Sequence, residues 1–316
     1  MSSQKINGMA FEWAMGCALS KQTGALIIEN DYSKTAKNAF ESGITDSRRT
    51  SFVKAAEVSV KHILEKEEIS FSEKFDGHVS FNTDAAGQEG DVRDVILKAG
   101  NRSIGISCKS NHEALKHSRL SGVLDFVSKW GLDENGCSQA YWDSIRPLFN
   151  ELRAISDESA GSALWADLEH KAERFYWPLL DAWADEITRL CSISDEKSAS
   201  VCKEMISYLI GRNDFYKVIC HGAHTVNLHA YNFNGTLATR KTKYPSTINT
   251  INKKNGGVYS KTIVFNHGYS INFRIHNASS RVEPSLKFDI TAMGLPVNEV
   301  YQQTFEFKKP SKRNRA

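Results

Sequence analysis

Two β-rich runs, residues 92–97 and 103–108, flank Gly100-Asn101, and a tight turn at that dipeptide limits what the middle of the chain can become. Glycine and asparagine both accept the positive φ that a two-residue hairpin loop demands. With them as the central loop residues, Ala99 faces Arg102, and counting outward sets Asp94 opposite Ser107. Side chains alternate along a strand, so Asp94, Ser107 and Lys109 share one face while Asp91 points to the other. An aspartate, a hydroxyl and a lysine make a poor core face.

The same three groups suit a hydrolytic site. Cleaving a phosphodiester needs carboxylates to hold Mg²⁺, a cation that takes hard oxygen ligands, and a positive group to help activate water or steady developing charge. Asp94 fits the first role and Lys109 the second, with Asp91 in reserve should the register slip by one. Hairpins of the PD-(D/E)XK nucleases carry this pattern with an acid where Ser107 stands, so a second acid must come from elsewhere. On spacing alone, an amphipathic hairpin with a surface lysine reads the same way.

Composition narrows the class. With 316 residues, 41% hydrophobic and 24% charged, the chain can bury one large or two modest cores and is not disordered. No apolar run approaches the roughly 18 to 20 residues of a membrane span, and the apolar stretch 9–19 is interrupted by Glu12 and lacks the basic flank of a signal peptide. A cytoplasmic location without a membrane partner is expected. Six cysteines, at 17, 108, 137, 191, 202 and 220, form no C-x-x-C pair, so neither a zinc knuckle nor a disulfide framework is indicated. Charge is uneven: residues 217–316 hold 15 Lys/Arg against four Asp/Glu, a net +11 that leaves −8 for the rest. A basic region of that size favours a polyanion, since each neutralised phosphate releases counterions; a solvated basic surface would have the same composition.

Taken in order, residues 5–19 predict a helix capped by Asn7, with Glu12 either facing solvent or turned inward. Residues 31–68 predict further helices broken at 41–50, and residues 69–81 a short strand. Residues 82–90 are a polar loop feeding the hairpin. After Lys109, Ser110-Asn111-His112-Glu113 has the form of a capping box, which predicts a helix over residues 110–120 and accounts for Glu113 without catalysis. That helix would carry Lys116, His117 and Arg119 as phosphate donors.

Residues 121–212 read as a helical insertion whose tryptophans are core, and the acidic character of the segment argues against a base-stacking role. From residue 213 the pattern turns to strands, with a basic linker at 239–254 and a basic tail at the end. His221, His224 and His229 lack the spacing of a zinc site and read as polar strand residues. Arg274, His276 and Asn277 place donors of the kinds used on guanine and phosphate on one short element; a strand edge followed by a polar turn would look alike.

The runs GDVRDVI and IGISCKSNHEALKHSRLS, with FRIHNASSRVEPSLKFDI further on and Gly8-x-x-x-Glu12 at the start, resemble the type II restriction endonucleases of the HaeIII family. The resemblance implies an α/β PD-(D/E)XK restriction-endonuclease-like core with a helical insertion and a C-terminal β-rich region. It divides the chain into a nuclease core at 1–120, the insertion at 121–212 and a basic DNA-recognition region at 213–316. It further implies Mg²⁺-dependent cleavage of double-stranded DNA, with GGCC as the typical site. Asp94, Lys109, Glu12 and Ser107 map onto the nuclease motif, with Asp94, Glu12 and the Cys108 carbonyl as metal ligands. Asn111, His112, Lys116, Arg119, Arg274, His276 and Asn277 are the expected DNA contacts. A homodimer would suit a palindromic site. Two other readings compete: a DNA-binding protein without nuclease activity, which the serine at 107 favours, and a nonspecific or repair nuclease.

Overall fold

A computed structural model describes residues 3–69, 77–83, 91–111, 114–222, 224–253, 259–277, 279–296 and 300–306. The chain forms two compact units, one from residues 1–113, 211–243 and 297–316, the other from residues 114–210 and 244–296. Both are mixtures of helix and sheet.

In the first unit, α1 (Ser3–Thr23) buries Phe11, Met15, Ala18 and Leu19. Full burial of each large side chain contributes about 1.5–3 kcal/mol. Asn7 lies inside this helix, its amide donating to the Ser3 carbonyl at 2.7 Å, so it is not the cap. A short strand β1 (Leu26–Ile27) precedes α2 (Asp31–Ser42) and α3 (Asp46–Lys66). Asn30 and Ser33 cap α2 reciprocally and Thr45 caps α3, so the predicted break falls between two capped helices.

The sheet follows as β2 (Gly77–Phe81), β3 (Val95–Ala99), β4 (Arg102–Ser110), β6 (Phe215–His221), β7 (Thr225–Tyr231) and β12 (Tyr301–Glu306), in the order β1-β2-β3-β4-β6-β7-β12. The β1–β2 and β4–β6 pairs are parallel and the others antiparallel. The turn sets Ala99 against Arg102 as the dipeptide predicts. Only Gly100 of the two takes a positive φ, +55°, the demand a II′ turn makes of its first central residue. One sheet face, with Ile104, Ile106, Cys108, Tyr216, Val218 and Cys220, joins α1 and α3 in the core.

The second unit holds β5 (Ala114–Ser121), β8 (Ile248–Lys253), β9 (Ser260–Phe265), β10 (Ser270–Asn277) and β11 (Ser285–Gly294), ordered β5-β11-β10-β9-β8 and antiparallel throughout. Its helices are α4 (Phe126–Trp130), α5 (Gln139–Glu158), α6 (Trp177–Cys191) and α7 (Asp195–Ile210). Trp183 packs 4.5 Å from Phe273 and 5.1 Å from Phe288, centroid to centroid. Trp130, Trp165 and Trp183 are buried, as core tryptophans should be.

Three sequence expectations change here. The segment after Lys109 is the strand β5, not a helix, because pairing along β11 from Ser121 to Ala114 buries Ser118 and Leu120; long-range pairing overrides local helical spacing. His112 and Glu113, half of the expected capping box, lie outside the described residues. The expected divisions at 120 and 212 move as well. β6 and β7 complete the first unit's sheet, whereas the helical segment groups with the later basic strands. Finally, the expected linker 239–254 contains β8.

Candidate active site

Asp94 sits at the mouth of the β3–β4 hairpin. Its backbone N–H donates to the Ile106 carbonyl at 2.8 Å and its carbonyl accepts from Asn82 N at 3.0 Å; since Val95 already pairs with Ile106, the ladder is irregular at Asp94 and does not continue to the expected Asp94–Ser107 pair. Its Oδ2 accepts from the Cys108 N–H at 2.6 Å, Ser107 Oγ at 3.2 Å and Lys109 Nζ at 3.2 Å. Among the described residues none donates to Oδ1. The Asp94 and Lys109 side chains keep 24% and 30% of their surface exposed, so the pair is held by the sheet yet reachable.

Glu12, on α1, is near enough for its charge to bear on Lys109. It is 6% exposed, which excludes the solvent-facing alternative, and its Oε2 accepts from Tyr32 OH at 2.7 Å. Burial disfavours the Lys109 ammonium, but the charges of Asp94 and Glu12 outweigh it and raise the Lys109 pKa above the ordinary lysine value. The lysine is therefore a cation across neutral pH. Burial, reinforced by the same two carboxylates, drives the Cys108 thiol pKa well above the usual range. Cys108 is thus no thiolate, and only its backbone oxygen has the chemistry of a hard ligand.

Asp91 stands apart from this cluster. Its carboxylate forms a two-point ion pair with Arg93, Oδ1 to Nε at 2.7 Å and Oδ2 to Nη2 at 2.6 Å. Partial burial opposes its ionisation, yet the Arg93 contacts prevail and lower its pKa. The Arg93 stem lies across Gly105, where a Cβ would come within 2.0 Å of Arg93 Cδ, and Asn82 Nδ2 binds the Arg93 carbonyl at 2.8 Å. Asp91 is therefore engaged by Arg93 rather than by the Asp94 cluster.

Among the described residues, no three of His, Cys, Asp and Glu converge as a metal cage. The donors at hand still fit Mg²⁺, which keeps several waters and is commonly held by one or two carboxylates together with substrate phosphate. Asp94 Oδ1, the Glu12 carboxylate and the Cys108 carbonyl are hard oxygens. His221, His224 and His229 form no metal group among the described residues. His221 meets the Asn227 amide at 3.0 Å. Burial, then Lys217, pushes His229 down to a pKa of about 4.

The expected DNA contacts divide. Asn111 is exposed at φ +53°, but its Oδ1 is taken by the Gly222 N–H at 2.7 Å, so it ties the end of β4 to the β6–β7 turn. Lys116 and Arg119 lie on β5 rather than a helix, and Arg119 donates to Ser285 Oγ at 2.9 Å and pairs with Glu283 at 3.4 Å. On β10, Arg274 is exposed, whereas His276 binds Asp289 at 2.7 Å and the Asn277 amide donates to the Ser279 carbonyl.

Two supporting residues gave no signal in the sequence: Tyr32, which fixes Glu12, and Arg48, whose guanidinium holds Ser110 Oγ at 2.7 Å and the Gly222 carbonyl. Each acts across a gap between elements that no local pattern encodes.

Comparison with known proteins adds one independent line. The family model described as HaeIII restriction endonuclease matches residues 8–296. The chain is 31% identical over 315 residues to the type II restriction enzyme HaeIII of Haemophilus aegyptius, covering 94% of this chain and 96% of that protein. No solved structure matches.

Proposed function

The chain belongs to the HaeIII restriction endonuclease family, and from that premise we propose that it is a type II restriction endonuclease, hydrolysing phosphodiester bonds of double-stranded DNA at a short specific site with Mg²⁺. One observation carries the reading: Asp94 and Lys109 are joined at 3.2 Å at the hairpin mouth, with the buried Glu12 acting on the same lysine. The first unit then acts as a PD-(D/E)XK-type core in which Ser107 stands at one acid's position and Glu12 supplies the carboxylate from the first helix. A GGCC site is the expectation that goes with the family. The second unit, which carries most of the later basic strands, supplies DNA contacts, among them the exposed Arg274. Lys116 and Arg119 contribute to phosphate attraction, and Asn111 and His112 are further expected DNA contacts.

Asp94, Glu12 and the Cys108 carbonyl would hold the cation. When bound, it polarises the phosphoryl oxygens and favours water as a nucleophile. Lys109, kept protonated by two carboxylates, steadies the charge growing on the phosphate and orients the attacking water. Ser107 and the Cys108 N–H fix one oxygen of Asp94, leaving the other for the cation. The Tyr32 hydroxyl, donating to Glu12 Oε2, fixes the orientation of that carboxylate. A two-fold dimer would present this site to both strands of a palindrome, and a cytoplasmic location would put it where incoming DNA is met.

Plasmid digestion with and without Mg²⁺ is the direct test. Discrete fragments that appear only with the cation support the reading. A smear would indicate a nonspecific or repair nuclease. DNA left intact under both conditions, yet retained in a binding assay, would favour a DNA-binding protein without cleavage, the reading that Ser107 in an acid's position recommends.

A further inference from the structure

The five-stranded sheet of the second unit buries one face, with Phe273, Ile275, Phe288 and Ile290, and leaves the other partly open, with Asn252 and Arg274 exposed and Thr262, Asn272 and Thr291 half-buried. On the open face the register aligns Asn252, Thr262, Asn272 and Thr291 in one row across β8, β9, β10 and β11. At about 4.8 Å between strands, four residues span roughly 14 Å, comparable with the approximately 12 Å width of a B-DNA major groove. The row holds amides and hydroxyls and no charge. The Asn272 amide donates to Thr262 Oγ1 at 2.9 Å and to the Lys261 carbonyl at 3.5 Å, and the Asn252 amide to Thr250 Oγ1 at 3.0 Å, so both side chains are oriented, and no described residue donates to either side-chain carbonyl oxygen.

Asparagine is disfavoured in strands, and two of them at aligned positions on a partly open face run against local preference. A merely solvated face would carry longer charged side chains. Charge begins next to the row: Arg274 follows two residues after Asn272 on the same face, and the adjoining His276–Lys287–Arg119 row lies beyond it. Asp289, the carboxylate between these rows, is engaged by His276 at 2.7 Å and lies 3.7 Å from Lys287. Neutral groups able both to donate and to accept, bordered by cations, match base edges bordered by phosphates.

We infer that the Asn252–Thr262–Asn272–Thr291 row is the base-reading surface of the protein and that it works in the major groove of double-stranded DNA, with Arg274 and Lys287 holding the adjacent phosphates. The inference rests on the endonuclease reading for its partner but not for its chemistry. The test uses the full chain and a pool of duplexes randomised at the centre, bound without divalent cation and sequenced after retention. Wild type is expected to enrich one short sequence. Asn272→Ala and Asn252→Ala should each cut the preference at one or more base positions roughly 5- to 100-fold, with total duplex binding within about twofold of wild type. Lys287→Ala should weaken all duplexes alike.

Unchanged preference in both asparagine variants would overturn the inference, and so would a uniform loss across all sequences. Should Asn272→Ala lower the melting temperature, Asn252→Ala at its exposed position on the edge strand β8 decides alone. Loss of a dimer in sedimentation, with sequence preference intact, would assign the row to contact between copies instead. A wild type that selects a sequence but never cuts with Mg²⁺ would sink the endonuclease reading and leave this one standing.

Discussion

Lys109 Nζ lies 3.2 Å from Asp94 Oδ2, on the atom that also receives the Cys108 N–H. One oxygen of the carboxylate is thereby committed to the protein, and the lysine is held where its charge is needed. Lys109→Ala and Asp94→Asn are each expected to reduce Mg²⁺-dependent cleavage by at least about 100-fold, the scale of losing one preorganised electrostatic group. DNA binding and the unfolding midpoint should change little, because asparagine can still accept from Cys108. Single-turnover cleavage of plasmid alongside anisotropy on an uncut duplex would check it; cleavage within fivefold of wild type in both variants would remove the site assignment.

Glu12 and Tyr32 give a graded version of the same test. Glu12→Gln removes the charge that helps raise the Lys109 pKa, whereas Tyr32→Phe removes only the hydroxyl that orients Glu12 at 2.7 Å. Orienting partners typically contribute about 10- to 100-fold. Tyr32→Phe should therefore cost about 10-fold and Glu12→Gln clearly more. Higher Mg²⁺ should restore part of the Tyr32→Phe loss. The opposite ranking in a Mg²⁺ titration of the cleavage rate would assign Glu12 to packing.

The hairpin was legible because its determinants are local: a Gly-Asn turn sets the register of β3 against β4, and counting outward from it drew attention to Asp94, Ser107 and Lys109, which meet through their side chains. Residues 110–120 were not legible as a strand, since β5 exists through its pairing with β11, more than 160 positions away. The grouping of β6 and β7 with the hairpin was hidden for the same reason. It depends on the parallel pairing of Ser107 with Lys217, and nothing in either segment names the other. Glu12 was visible as a candidate through its spacing from Gly8, but its burial and its bond to Tyr32 belong to the packing of two helices.

Arg102 tests the packing behind the hairpin turn. It pairs at 2.6 Å with Glu67, whose side chain is fully buried and also accepts from Tyr216 OH at 2.7 Å and Ala238 N at 3.0 Å. Arg102→Ala leaves a buried carboxylate without its cation. The remaining donors soften that cost to about 2–3 kcal/mol. Glu67→Gln with Arg102→Ala should recover part of it, and urea unfolding of the single and double variants measures the difference. Equal stability of Arg102→Ala and wild type would show that the two neutral donors suffice.

His229 carries the pH dependence. Burial, with Lys217 and His221 adding like charge, lowers its pKa from 6.5 to about 4. Between those values the unfolded chain binds a proton that the folded chain refuses, so stability rises with pH across the window. The contribution is complete above about pH 6.5 and is lost as pH falls toward 4, amounting to at most about 3 kcal/mol at the conversion of 1.36 kcal/mol per pH unit. His62, whose pKa is lowered chiefly by desolvation and also by Lys66, adds a smaller slope of the same sign. Replacing His229 with Gln keeps a polar side chain without a titrating group. It should flatten the stability curve between pH 6.5 and 4.5 while leaving the His62 part in place. Urea midpoints for both proteins across that range supply the measurement, and parallel curves would mean that His229 is as free to protonate in the folded chain as in the unfolded one.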